Sequence, residues 1–93
     1  MGTFLNKFCK ISIMKEIIKL RKKVDKIDLK LLKVLSKRNN LTSKIKKIKQ
    51  NNNIQLEDKT REKTILKTLN SKKLIPRKTL ENIYKEIFKL IKK

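Results

Sequence analysis

IIKLRKKVDKIDLKLLKVLSKRNNLTSKIKKI, residues 17–48, decides the architecture. Its apolar residues fall in two heptad columns. One runs Ile17, Val24, Leu31, then Arg38, then Ile45, and the other Leu20, Ile27, Val34, Leu41 and Ile48. Columns spaced by seven form the seam of a coiled-coil-like helix. No Gly or Pro occurs from Met14 to Lys49, so the spacing predicts a single helix of about 36 residues, about 54 Å long. A helix of that length needs a partner along its whole seam. The run Asn51-Asn52-Asn53 predicts its end, because asparagine side chains compete for backbone hydrogen bonds.

Downstream of this helix, Asp58, Thr60, Arg61 and Glu62 read as the start of a second one, with Asp58 as N-cap and Ile65, Leu66 and Leu69 on its inner face. It should stop near Asn70-Ser71. Pro76 suits the first turn of a third helix, in which Leu80, Ile83, Ile87, Leu90 and Ile91 repeat at helical spacing. Upstream, residues 1–13 carry no sustained periodicity and read as a disordered or frayed leader, and Met14 is an alternative start. The expectation is an all-α protein of three helices, one long and two shorter, with a single helical domain over residues 14–93.

Composition narrows the function classes. There is one Gly, one Pro, one Cys and no His or Trp in 93 residues. That disfavours glycine-rich phosphate loops, the usual zinc sites, Ser-His and Cys-His nucleophile systems, and any disulfide within one chain. Cys9 reads as a bystander thiol. Lysines interrupt every apolar run, so no segment approaches a membrane span of about 20 apolar residues, and a cytoplasmic protein is expected. The net charge of +20 attracts polyanions in principle. Its lysines are nevertheless spread over every segment with only four aromatics, and Lys, Asn and Ile are together what an AT-rich coding sequence supplies. Nucleic acid is therefore not the expected partner.

Arg38 breaks the apolar column, and a buried guanidinium costs several kcal/mol unless paired (roughly). It is either a register-setting polar residue or part of a pocket for an anionic ligand. Lys49 lies 11 residues further on, about 16 Å along the axis, so two long side chains can converge on a metabolite. Arg21 is 28 residues from Lys49, about 42 Å, and can join them only from another chain running antiparallel. Asp58, Arg61 and Glu62 share one face at the second helix's start, either as capping and dipole-compensating residues or as contacts to a polar ligand.

Residues 20–38, LRKKVDKIDLKLLKVLSKR, resemble the first-helix pattern of the all-helical, type II chorismate mutase family. The likeness continues through Lys49 to EDKTREKTIL, residues 57–66, which is similar to the family's Asp, Arg-Glu motif at the start of helix two. Residues 76–93 fit its third helix in pattern only. The resemblance implies an intertwined antiparallel helical homodimer whose active sites each borrow an arginine across the interface. It implies that Arg38 and the partner's Arg21 hold the two carboxylates of chorismate, that Lys49 contacts a carboxylate and the ether oxygen of the breaking bond, and that Asp58 and Glu62 position the ring hydroxyl. Arg61 matches an arginine lining the site.

The implied reaction converts chorismate to prephenate, for phenylalanine and tyrosine biosynthesis, without cofactor, metal or proton transfer. Lys49 and Arg38 are the expected catalytic residues. The family often carries a small hydroxyl residue and then a Gln or Glu late in helix three; here those positions fall at Ile91 and beyond Lys93, and a missing donor costs about 10²–10³ in rate. Alternatives are isochorismate-pyruvate lyase chemistry on the same fold, a basic helical module binding nucleic acid or an acidic protein, and a regulatory subunit of another enzyme of the pathway.

Overall fold

The computed structural model describes residues 3–90, with side chains from Lys10 onward. It contains three α-helices: α1 (Thr3–Asn51), α2 (Lys59–Asn70) and α3 (Arg77–Lys89). Among the described residues there is no strand. The side chains of Cys9 and Ile91 lie outside the described residues.

α1 ends where the asparagine run predicts. Asn53 takes a left-handed backbone conformation with φ 54°, which asparagine tolerates better than most residues. The N–H groups of Asn52 and Ile54 donate to the carbonyls of Ile48 and Lys49, satisfying acceptors that a helix end otherwise leaves open. The start of α1 differs from the expectation: it is Thr3 rather than Met14. Thr3 to Ile13 contains no Gly or Pro, so the backbone has no stop signal, and lack of amphipathic period does not prevent helix from extending.

The chain divides into two compact units, Met1–Ser36 and Lys37–Lys93. Throughout the described side chains of the first unit, α1 is exposed apart from a half-buried Ile17 and Leu35. The seam residues Leu20, Val24, Ile27, Leu31 and Val34 are all open to solvent, Leu31 to 64%.

The second unit holds the last turns of α1 with α2 and α3. Its buried centre is Leu80 and Phe88, each 7% exposed. Around them Ile65, Leu66 and Leu69 of α2 and Tyr84 and Ile87 of α3 are half-buried. α3 therefore turns inward on Leu80, Tyr84, Ile87 and Phe88, spaced by four, three and one, which is a helical stripe. The expected inner face included Ile83 and Leu90, but these are exposed. They lie one column away from the stripe that the two aromatic residues anchor. Pro76 occupies the N-cap position of α3, one residue before the expected place, and its carbonyl accepts from the Leu80 N–H at 3.0 Å.

Candidate functional site

The final turns of α1 present Leu35, Arg38, Thr42, Lys46 and Lys49 as a half-buried stripe. The spacing of three, four, four and three puts them on one side of a helix. The apolar residues Leu41, Ile45 and Ile48 of the same turns are more than half exposed. Arg38 thus belongs to two rows at once, the apolar heptad column and the polar stripe, and the second unit packs the polar one.

Across from this stripe, α2 begins at a capped end. The Asp58 carboxylate accepts from the Arg61 N–H at 2.9 Å, which satisfies one of the open donors of the first turn. Glu62 adds a second carboxylate in that turn, where the positive end of the helix dipole favours it. The Lys49 ammonium donates to the Leu56 carbonyl at 3.4 Å, a long hydrogen bond that ties the α1–α2 connection to the stripe.

Between stripe and cap lies a cleft of about 140 Å³. Arg38, Lys46, Lys49 and Arg61 contribute cations to its lining, and Glu57, Asp58 and Glu62 contribute carboxylates. Ile45, Leu56, Ile65 and Phe88 supply apolar wall. Five of the six residues singled out in the sequence, Arg38, Lys49, Asp58, Arg61 and Glu62, therefore meet in one place. Arg21 does not line the cleft; it is an exposed residue of the first unit.

Sequence reasoning missed Thr42, Lys46, Glu57 and Phe88. Thr42 and Lys46 continue the four-residue ladder from Arg38, a signal that was readable. Phe88 carries no such signal, since only the packing of α3 brings it to the cleft. The structure also supplies a partner for the Arg38 guanidinium, which lies over the Tyr84 ring, 5.8 Å from its centroid.

A small cleft of mixed charge at a helix N-terminus, with an apolar wall and three long cations from the preceding helix, suits a small polar anion. Comparison with known proteins bears on which one. The family described as Chorismate mutase type II matches residues 20–93, which include every residue of the cleft. This chain belongs to the type II chorismate mutase family. A chorismate mutase of Methanocaldococcus jannaschii is 34% identical over 80 residues, spanning 85% of this chain and 79% of that protein. No solved structure gives a significant match. As a type II family member the chain is all-α with one long helix, and the match takes in the third helix as well as the motifs of the first two. No helix among the described residues is long and apolar enough to cross a membrane.

Proposed function

We propose that this protein is a chorismate mutase, rearranging chorismate to prephenate, and that it works as an antiparallel dimer in which Arg21 of the partner subunit completes each cleft. The observation that carries the reading is the convergence of Arg38, Lys49, Asp58, Arg61 and Glu62 on one cleft within the segment that matches the family.

The reaction is intramolecular. One C–O bond breaks as one C–C bond forms, and no proton or nucleophile takes part. The protein's task is to hold the enolpyruvyl chain over the ring and to face the charge growing on the ether oxygen. Arg38 binds one carboxylate in the edge-on geometry that a guanidinium permits. Lys49 reaches the ether oxygen and the adjacent carboxylate as a compact charge. Asp58 and Glu62 position the ring hydroxyl, one of the two carboxylates accepting its single O–H; capping engages only Oδ1 of Asp58, and that carboxylate has a second oxygen. Arg61 lines the wall. An acceleration of about a million-fold corresponds to roughly 8 kcal/mol, within reach of positioning plus one or two charge contacts.

Three features support a second copy. Four cations against three carboxylates leave the cleft only weakly positive, too little for a dianionic substrate, and a further arginine redresses that. The cleft's 140 Å³ is below the roughly 300 Å³ at which small-molecule sites begin, so another wall is needed. Finally, the first unit exposes five seam residues, each worth about 1.5–3 kcal/mol when buried, on a helical segment with little stability of its own. An antiparallel pairing that sets Arg21 beside the other copy's Arg38 has its twofold axis near residues 29–30. Ile27 and Leu31 then meet at the centre.

The test is to incubate the purified protein with chorismate, follow loss of its ultraviolet absorbance, and identify the product by chromatography. Prephenate supports the reading. Absence of turnover by a folded protein, or release of pyruvate from isochorismate instead, overturns it.

A further inference from the structure

We propose that Tyr84 is a positioning residue for Arg38: its ring face holds the guanidinium in the attitude that receives a substrate carboxylate. This rests on the reading of Arg38 as a carboxylate-binding residue. The Arg38 Cζ lies 5.8 Å from the Tyr84 centroid, inside the range of about 6 Å over which the ring quadrupole attracts a cation. Arg38 borders both the substrate cleft and a second depression, which Tyr84 lines together with Arg61, Ile65, Thr68 and Leu69. The guanidinium is thus shared between an aromatic surface on one side and the cleft on the other.

The ring is itself held. Tyr84 and Phe88 stand one helical turn apart on α3, with centroids 5.6 Å apart and planes inclined by 59°, a tilted arrangement that aromatic pairs favour. Phe88 is one of the two buried side chains among the described residues and also lines the cleft. A chain of contacts therefore runs from the buried centre through Phe88 and Tyr84 to Arg38. A guanidinium is planar: its face can lie on a ring while its edge keeps the paired N–H groups free to grip a carboxylate. Held this way, Arg38 gives up fewer side-chain conformations when substrate arrives, and the benefit appears in binding.

The experiment compares the full-length protein with Tyr84→Phe, Tyr84→Leu and Tyr84→Met, the last of which keeps apolar bulk without a π face. Chorismate kinetics are read as KM and kcat separately, and the Arg38 Nε–Hε resonance is followed in the substrate-free protein. Loss of the ring should lower kcat/KM by roughly three- to thirtyfold, mostly through KM, in both the Leu and Met variants. Tyr84→Phe should restore most of it. The Arg38 Hε signal should be displaced upfield by the ring current in the parent and in Tyr84→Phe, and lose that displacement in the other two. An equal loss in all three variants, a fall in kcat with KM unchanged, or an Hε signal indifferent to the ring overturns the proposal. If the parent protein does not turn over chorismate at all, the proposed activity fails, and the resonance still decides whether Tyr84 holds Arg38.

Discussion

Replacing Lys49 by alanine should separate activity from stability more sharply than any other change in the cleft. The side chain is half-buried and its one described hydrogen bond, to the Leu56 carbonyl, is 3.4 Å long. A bond that long contributes less than a typical net value of about 1 kcal/mol. With about 4–8 °C of melting temperature per kcal/mol for a domain of this size, the variant should melt within a few degrees of the parent. Its catalytic loss is much larger. Removing a donor to the oxygen that gains charge in the transition state costs about 10²–10³, and losing the charge-assisted carboxylate contact adds to it. The expected fall in kcat/KM is about a thousandfold or more, equivalent to roughly 4 kcal/mol. Lys46→Ala is the control, because Lys46 lines the same cleft three residues earlier but has no assigned contact with the reacting bond. It should lose less than about tenfold, the scale of one charge contact remote from the reacting bond. The assay is steady-state loss of chorismate absorbance alongside thermal circular dichroism. Lys49→Ala retaining kcat/KM within about tenfold of the parent, with its fold intact, would refute the assignment of Lys49 to the ether oxygen.

Asp58 has two separable duties. Asp58→Ala removes the α2 cap and should cost about 1 kcal/mol of stability, whereas Asp58→Asn keeps an oxygen to accept from the Arg61 N–H and should recover the melting temperature while kcat/KM stays reduced; equal melting of the two variants would argue against the capping assignment. Leu31→Glu places two carboxylates near the centre of the proposed pairing, so sedimentation should report a monomer with weakened helix signal at 222 nm, and an undisturbed dimer would rule out that register.

Much of the fold was legible because its stop signals are local. The asparagine run, the Asp58 cap and Pro76 act through backbone hydrogen bonding within a few residues, and each marks a helix boundary to within two residues of the sequence reading. The start of α1 was not legible, since residues before Met14 lack both period and breaker, and only a breaker fixes an end. The inner face of α3 was half legible. Ile83 and Leu90 have the right spacing, but Tyr84 and Phe88 offer more area to bury, and they decide which side turns inward. At the site, Arg38 stood out because it interrupts an apolar column. What the column could not reveal is that the same residue also starts a polar stripe, through Thr42 and Lys46 to Lys49, and that the stripe is the face that α1 turns towards the cleft. Its aromatic partner was hidden for the same reason as Phe88: the meeting of α3 with the end of α1 is set by packing over more than forty residues of sequence separation.

If each cleft is a chorismate mutase site completed by the other copy's Arg21, two variants that are inactive alone must restore activity when mixed. Arg21→Ala and Arg38→Ala proteins, each with little activity alone, are unfolded together in equal amounts and refolded. A mixed dimer regains one intact site, with Arg38 and Lys49 from one chain and Arg21 from the other, while its second site lacks both arginines. Random pairing makes about half the dimers mixed, so about a quarter of the parent's activity should return. Recovery near that level is expected. A mixture no more active than its two components, under conditions where exchange of chains is demonstrated, would contradict it.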